Sequence, residues 1–210
     1  MHNILIADDH AVVRAGLRQF LVESGRVGEV AEAATGEQAM DLLRTKQFHL
    51  LILDINMPGR GGLDILKHVR ASFPATKVLI VSGLPERQYA VNVLKAGASG
   101  YLSKESAAEE LIDAVQLVLS GRRYVSSTLA EQLVLDLDLD SDKPVHSELS
   151  EREFQIFCKL ATGTTVSDIA RELSLSVKTV STYRSRVLEK MRLRSNADIT
   201  MYALKNGLIQ

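Results

Sequence analysis

The sequence predicts an α/β domain with a doubly wound parallel sheet, followed by a small all-α domain, and three observations carry this prediction. Five short apolar runs alternate with helix-periodic segments over residues 1–121. From residue 147 to 210 the strand signals stop, and helix signals follow one another closely. Residues 122–146 lie between these regions and are rich in acidic side chains, which is typical of a linker.

The five apolar runs predict a buried parallel sheet. Each run is continuously apolar instead of alternating, as expected for strands whose two faces are both covered by helices. The predicted strands are Ile4–Ala7, Glu29–Ala33, Leu50–Leu53, Val78–Val81 and Gly100–Leu102. The helical segments between them lie near residues 11–23, 36–45, 63–71, 86–97 and 107–120. We therefore predict a five-stranded (βα)5 domain, in which ligands bind at the carboxyl ends of the strands.

The predicted linker has two readings. Ser126 or Ser127 suits the N-cap of a helix that would bury Leu129 and Leu133. Leucine and aspartate then alternate in LDLDLDSDKP, a pattern that alone indicates an edge strand. Its acidity favours an extended linker instead. The acidic run Asp136–Asp142 could lie against the basic third helix of the C-terminal region and screen it, or it could be a solvated tether.

The C-terminal region predicts four helices with a tight helix–turn–helix at the centre. Ser150 and Glu153 form a capping box that begins the first helix, and Gly163 ends it. Val166–Leu173 and Val177–Met191 follow, separated by a short turn, and Asn196–Lys205 is the last helix. The inner stripe predicted for the third helix is Val177, Val180, Val187, Leu188 and Met191.

Charge and cysteine content restrict the class of protein. The formal net charge of −1 conceals a neutral block over residues 1–125, a net charge of −5 over residues 126–149 and of +4 over residues 150–210. The basic block suggests a nucleic-acid partner. Cys158 is the single cysteine, which excludes an internal disulfide and a paired-cysteine metal motif. The N-terminus lacks a signal-peptide pattern and no apolar run approaches about 20 residues, so we expect a cytoplasmic protein.

Polar side chains follow four of the five predicted strands. Asp8 and Asp9 follow the first strand, and Asp54 ends the third, which should be its neighbour. Carboxylates gathered at one edge repel one another unless a cation is present, and oxygen ligands suit Mg²⁺. Ser82 and Lys104 end the fourth and fifth strands, where they could hold phosphoryl oxygens. Each residue alone could be an ordinary cap or solvated group, but the set predicts that Asp54 forms an aspartyl phosphate.

These residues lie in motifs that resemble the receiver domain of two-component response regulators. The motifs are DDH at 8–10, LILDINMPGRGG at 51–62, VSG at 81–83 and KAGASGYLSK at 95–104. The resemblance implies that a sensor histidine kinase phosphorylates Asp54 and that Lys104 contacts the phosphoryl group. It implies that Ser82 and Tyr101 act as a switch. It further implies a Mg²⁺ site, whose ligands would be Asp9, Asp54, the backbone carbonyl of Asn56 and, mostly through water, Asp8.

The third C-terminal helix and its exit, Lys178–Arg194, carry six basic residues against one acid, Glu189. Such a stretch could be an ordinary solvated face. The region 147–210, however, resembles the LuxR-type helix–turn–helix of NarL/FixJ response regulators, in which this helix enters the major groove of DNA. Tyr183 departs from that pattern, since many members have histidine there. The resemblance implies DNA contacts from Lys178, Thr179, Ser181, Thr182, Arg184, Ser185 and Arg186.

We therefore predict a response regulator whose phosphorylation controls DNA binding and transcription, active as a homodimer on a palindromic operator. It would not be an enzyme beyond Mg²⁺-dependent phosphorylation and dephosphorylation of its own Asp54. A haloacid-dehalogenase-type phosphatase would need a second aspartate where this sequence has Asn56. A phosphate-sink receiver with a protein- or RNA-binding tail remains an alternative.

Overall fold

The computed structural model describes residues 1–57, 62–83, 86–127, 129–130 and 145–209. The chain forms two compact units, which divide between residues 136 and 137. The predicted Leu/Asp alternation and the acidic run Asp136–Asp142 lie outside the described residues. Within the described ranges, no helix is both long enough and apolar enough to span a bilayer.

The first unit confirms the predicted parallel sheet. Its strands pair in the order β2-β1-β3-β4-β5, all parallel, with helices connecting them. The strands are β1 (His2–Ala7), β2 (Val27–Ala33), β3 (Leu50–Leu53), β4 (Lys77–Ser82) and β5 (Gly100–Ser103). The helices are α1 (Ala11–Glu23), α2 (Gly36–Thr45), α3 (Gly62–Ser72), α4 (Glu86–Lys95) and α5 (Ala107–Leu119).

The core explains why the strands read as continuously apolar. Side chains on one face of the sheet, such as Ile4 and Ile52, pack in a buried cluster with Leu17 and Leu21 of α1 and Leu111 of α5. Burying each such side chain contributes roughly 1.5–3 kcal/mol. Every residue of Ile4–Ala7 and Leu50–Leu53 is at most 1% exposed, so both faces of β1 and β3 are covered. Polar side chains follow where these strands end.

Residues 122–127, 129 and 130, at the start of the predicted linker, belong to the first unit. Tyr124 forms an isolated parallel bridge with Gly100 of β5. The Ser126 hydroxyl accepts a hydrogen bond from the Leu129 N–H at 3.1 Å, and Leu129 is buried. Ser126, one of the two predicted caps, thus begins a helical turn here.

The second unit confirms the four predicted helices. They are α6 (Glu151–Ala161), α7 (Val166–Glu172), α8 (Val177–Met191) and α9 (Asn196–Lys205), preceded by a 3₁₀ turn at Val145–Glu148. The capping box is present: the Ser150 N–H donates to Glu153 Oε2 at 2.8 Å, and the Glu153 N–H donates to Ser150 Oγ at 3.4 Å. Gly163, with φ of +83°, ends α6 as predicted.

One position of the predicted inner stripe of α8 is wrong. Val180, Val187 and Met191 are buried, but Val177 is 51% exposed. Val177 is the first residue of α8, between the exposed Ser176 and Lys178, where the short turn from α7 leaves it in solvent. The stripe therefore begins one turn later, at Val180.

Candidate functional site

Two buried carboxylates lie side by side at the carboxyl edge of the sheet. Ala7 of β1 and Leu53 of β3 are paired in register, so Asp8 and Asp54 leave adjacent strands at the same level. The Asp54 N–H donates to the Ala7 carbonyl at 2.8 Å, which holds the two chain exits together. Both residues are only 1% exposed, whereas Asp9 is exposed. The predicted convergence of Asp8 and Asp54 is therefore present in the fold.

Lys104 joins the two carboxylates. Its Nζ lies 2.6 Å from Asp8 Oδ2 and 2.7 Å from Asp54 Oδ2, and its side chain is 18% exposed. The Lys104 N–H donates to the Ser82 carbonyl at 2.9 Å, which fixes the loop after β5 against the end of β4. One ammonium therefore compensates two buried acids, and a net negative charge remains at the edge.

The pKa values of Asp54 and Lys104 are both shifted in the direction expected for two buried acids that share one ammonium. Burial raises the pKa of Asp54, and the hydrogen bonds from Lys104 and the Asn56 N–H only partly oppose that rise. Burial lowers the pKa of Lys104, but its contacts with Asp54 and Asp8 outweigh burial and raise that pKa above its ordinary value. The ammonium therefore stays charged at neutral pH, and the charge on Asp54 is the costly one.

Replacing Asp54 with Asn should stabilise the fold at pH 7 without divalent cations, by on the order of 1 kcal/mol. Because the folded-state pKa of Asp54 is raised, the unfolded chain loses its proton first as pH increases, and stability falls over that interval. The amide removes this loss, while Lys104 keeps Asp8 as a partner. Urea unfolding at pH 7 and at about pH 3 measures the effect, which should vanish at the lower pH.

The matched control for that comparison is Asp41→Asn, on the exposed side of α2, where the side chain is 72% exposed. This variant should change the free energy of unfolding by less than about 0.5 kcal/mol. An Asp54→Asn protein no more stable than the wild type at pH 7 would contradict a costly charge at Asp54.

The chemistry of this edge fits a hard divalent cation. Ligand atoms of Asp8, Asp9, His10 and Asp54 all lie within 4.8 Å of one another. Buried carboxylates with incomplete charge compensation suit Mg²⁺, which takes a few carboxylate oxygens and completes its shell with water or phosphate. Asn56, the predicted carbonyl ligand, lies two residues after Asp54 and donates its N–H to Asp54 Oδ1 at 2.9 Å.

His10 belongs to this cluster, and sequence reasoning assigned it no role. Its Nδ1 lies 3.1 Å from Asp8 Oδ1 and 2.9 Å from Asp9 Oδ1, and its N–H donates to Asp8 Oδ1 at 2.7 Å. Its position directly after two acids in the motif DDH was the signal available in the sequence.

The two predicted switch residues are both fully buried. Ser82 ends β4 opposite Ser103 of β5, and its carbonyl is the one that anchors the Lys104 backbone. Tyr101 lies on β5 opposite Ile80, two residues from Ser82 along the pairing. Both residues are 0% exposed, so the Tyr101 ring is directed into the protein.

The predicted DNA-contact residues separate into two groups on α8. Thr179 and Arg184 are half-buried and bonded within the domain: Thr179 Oγ1 lies 2.7 Å from Ser176 Oγ, and Arg184 Nε donates to Asn196 Oδ1 at 2.7 Å. The other residues share one exposed face of the helix. They are Lys178, Ser181, Thr182, Ser185 and Arg186.

Hydroxyl groups on this exposed face bond to their own helix. Thr182 Oγ1 donates to the Lys178 carbonyl at 3.0 Å, and Ser185 Oγ donates to the Ser181 carbonyl at 3.1 Å. Arg186 lies over the ring of Tyr183, with Cζ 6.0 Å from the ring centre, at the outer limit of a cation–π contact. The face therefore combines short polar side chains with two cations at its ends.

Family comparisons agree with both units. Residues 4–116 match the model of the response regulator receiver domain, and residues 147–203 match that of bacterial regulatory proteins of the luxR family. The chain is 36% identical to the response regulator UvrY of Escherichia coli K12 over 209 residues, covering 99% of this chain and 96% of UvrY. It is 36% identical to the response regulator GacA of Pseudomonas protegens over 210 residues, covering 100% and 98% of the two chains.

Solved structures show the same architecture. RcsB from Salmonella enterica serovar Typhimurium, bound to promoter rprA in the presence of the phosphomimetic BeF3−, aligns with a TM-score of 0.68 and 25% identity, covering 96% of this chain and 98% of RcsB. A LuxR-family two-component response regulator from Aurantimonas sp. SI85-9A1 aligns with a TM-score of 0.61 and 32% identity, covering 65% and 97%. The chain therefore belongs to the two-component response regulators of the NarL/FixJ family, with a receiver domain followed by a LuxR-type helix–turn–helix domain.

Proposed function

We propose that this protein is a DNA-binding transcription regulator controlled by phosphorylation of Asp54. A sensor histidine kinase would supply the phosphoryl group, and Asp54 would be the acceptor. The observation that carries the proposal is the contact of Lys104 Nζ with the buried carboxylates of Asp54 and Asp8, at 2.7 and 2.6 Å. Such an arrangement orients one nucleophilic oxygen at the sheet edge and keeps a cation beside it.

In the transfer step, an oxygen of Asp54 forms a bond to phosphorus as the phosphorus–nitrogen bond of the kinase phosphohistidine breaks, and the imidazole takes up a proton. Lys104 then has a phosphoryl oxygen to bind in place of the carboxylate oxygen. The residues that would hold Mg²⁺ are Asp8, Asp9, Asp54 and the carbonyl of Asn56. That ion would supply charge neutralisation for the phosphoryl group. No external substrate is turned over in this scheme.

Phosphorylation replaces one carboxylate charge with about two negative charges at a buried edge. Ser82 lies on β4 and Tyr101 lies on the adjoining strand β5. We assign to these two residues the conformational response to phosphorylation. A two-state rearrangement of these residues would carry the signal away from Asp54.

The output would be DNA binding by the exposed face of α8. Lys178 and Arg186 suit phosphate contacts, while Ser181, Thr182 and Ser185 allow close approach to base edges. Because a single helix reads few base pairs, we infer a homodimer on a palindromic operator. Thr179 and Arg184, bonded to Ser176 and Asn196, would position the helix within this interface.

The alternative, a phosphate-sink receiver with a protein- or RNA-binding tail, predicts no sequence-specific binding to duplex DNA. Genomic DNA pull-down with the full chain separates the two functions. Wild-type protein treated with an acyl phosphate should enrich a small set of fragments, whereas Asp54→Ala should not respond to the acyl phosphate and Asp41→Ala should behave as wild type. If the protein shifts the electrophoretic mobility of no DNA duplex at low salt, the proposal that it is a DNA-binding regulator is rejected.

Arg186→Ala should weaken DNA binding about equally across sequences and reduce the salt-dependence slope by about 1, because one phosphate contact is lost. Fluorescence anisotropy on an enriched fragment between 50 and 200 mM salt would measure both quantities. The matched control is Lys67→Ala on α3, an exposed cation of the first unit that should leave the slope unchanged. An unchanged slope for Arg186→Ala would remove this residue from the interface.

A further inference from the structure

A short segment after α5 is bonded along the outer edge of the sheet. β5 is the last strand in the sheet order, so one side of it has no neighbouring strand. The Tyr124 N–H donates to the Ser99 carbonyl at 2.9 Å, and the Tyr101 N–H donates to the Tyr124 carbonyl at 3.2 Å. These bonds cover part of an edge that would otherwise expose unpaired backbone groups. Residues 122–126 therefore form an edge strap along β5.

The close approach of the edge strap depends on a glycine in β5. A Cβ atom built on Gly100 would lie 2.8 Å from the Tyr124 carbonyl oxygen and 2.9 Å from the Tyr124 Cβ. Side chains essentially never tolerate such contacts with backbone atoms, so any other residue at position 100 would push the strap off the strand. Gly100 therefore has a steric reason to be glycine.

The Tyr124 side chain anchors the edge strap a second time. Its hydroxyl donates a hydrogen bond to Glu110 Oε2 of α5. Its ring is half-buried and packs against the hydrophobic cluster that includes Leu111 and Leu102. Backbone bonds, ring packing and a charge-assisted hydrogen bond thus hold one residue that sequence reasoning placed in a linker.

The edge strap joins a proposed switch residue to the chain that continues toward the second unit, which is the connector between the units. On one side, the Tyr124 carbonyl accepts a hydrogen bond from the backbone N–H of Tyr101. Tyr101 pairs with Ile80 of β4, which lies two residues before Ser82. On the other side, two residues further along the chain, Ser126 caps the helical turn that contains the buried Leu129. A displacement of β5 at Tyr101 must therefore move Tyr124 or break a directional hydrogen bond.

We propose that Gly100 and Tyr124 form a coupling element that transmits the state of Tyr101 to the connector and so sets the phosphorylation dependence of DNA binding. The proposal rests on the function proposed above, with Asp54 as phosphoacceptor. Tyr124 and Gly100 are assigned no part in phosphoryl transfer. They are positioning residues for the signal.

The test compares five variants of the full chain: Tyr124→Phe, Gly100→Ala, Glu110→Gln and the controls Gly16→Ala and Glu109→Gln. An added Cβ on Gly16 would meet nothing within 4 Å, so this control repeats the glycine substitution without the clash. Glu109→Gln, on an exposed neighbour in α5, is the control for Glu110→Gln. Asp54 phosphorylation by acetyl phosphate is followed by a phosphate-affinity gel. DNA affinity is measured with and without acetyl phosphate, and the coupling ratio is the quotient of the two dissociation constants.

All variants should accept phosphate at the wild-type rate within about twofold. Tyr124→Phe should reduce the coupling ratio by roughly threefold or more, the scale of one lost hydrogen bond. Glu110→Gln should reduce it less, because the amide oxygen still accepts from Tyr124 and the bond only loses its charge assistance. Gly100→Ala should reduce it further, while both controls keep the wild-type ratio. Hydrogen exchange at the Tyr101 and Tyr124 amides gives a second readout, since protection of both should change when acetyl phosphate is added to the wild type.

A wild-type coupling ratio in Tyr124→Phe and Glu110→Gln would overturn the coupling element even if Gly100→Ala does not fold, since both of these substitutions are mild. Equal exchange at the two amides before and after phosphorylation would overturn it as well. A wild-type protein that does not accept phosphate would reject the proposed function itself, and the coupling element with it.

Discussion

A Lys104→Met variant should lose about 3 kcal/mol of stability in the absence of divalent cations, the scale expected when a buried charge loses its partner. The reason is geometric: Lys104 Nζ is the cation within 2.7 Å of both Asp8 and Asp54, whose side chains are almost fully buried. Methionine keeps the length of the side chain but leaves two like charges facing each other. Urea unfolding in EDTA measures the loss.

The same variant should accept phosphate from acetyl phosphate about 100-fold more slowly, because a charge that stabilises the transferring group is removed. Mg²⁺ should restore more stability to Lys104→Met than it adds to the wild type, since the ion replaces the missing charge between the carboxylates. Lys95→Met, an exposed lysine in the last turn of α4, is the matched control and should show none of these effects. Equal stability of Lys104→Met and wild type in EDTA would refute the role assigned to Lys104.

A Glu153→Ala variant should destabilise the second unit by about 2 kcal/mol, through loss of a helix cap and of a hydrogen bond between charged groups together. The Glu153 side chain is 4% exposed and lies 2.6 Å from Lys190 Nζ of α8. It also accepts the Ser150 N–H at the start of α6. Glu153 therefore links the first helix of the unit to the helix proposed to bind DNA. Hydrogen exchange of amides in α6–α9 assigns the loss to this unit.

The effect of Glu153 should depend on pH. Burial raises the pKa of Glu153, but the hydrogen bonds from Lys190 and Ser150 outweigh burial and hold that pKa below its ordinary value of 4.5. A lowered pKa means that the stabilisation is present above pH 4.5 and disappears as pH falls through the folded-state value. Wild type and Glu153→Ala should therefore converge in acid. Glu189→Ala, an exposed acid on α8, should match the wild type at every pH, and a constant difference between wild type and Glu153→Ala would contradict the ion pair.

The sheet and most helix ends were predictable because local sequence determines them. A continuous apolar run such as Leu50–Leu53 indicates a strand with both faces covered, and Ser150 with Glu153 specifies a helix start by itself. Parallel topology then places Asp8 and Asp54 on one edge. These inferences need no knowledge of side-chain conformation.

Contacts that depend on side-chain reach between elements were not predictable. Lys104 could be placed at the correct edge, but its simultaneous contact with Asp8 and Asp54 depends on the backbone bond to Ser82. The bond from Arg184 to Asn196 joins two helices and leaves no periodic signal. Tyr124 pairs with β5 through a single residue, too short a stretch for strand periodicity, so the segment resembled a linker.

The hydroxyl groups on the exposed face of α8 have an evolutionary consequence. Thr182 and Ser185 bond only to carbonyls one turn earlier in their own helix, and those carbonyls already belong to the helix ladder. Replacing either residue leaves no buried group unpaired, so the cost to folding is small. The buried Val180 and the hydrogen bond from Arg184 to Asn196 hold α8 in place within the domain. A descendant protein could therefore bind a different operator sequence after substitutions of these exposed side chains of α8. Its folded domain and its control by phosphorylation would stay unchanged.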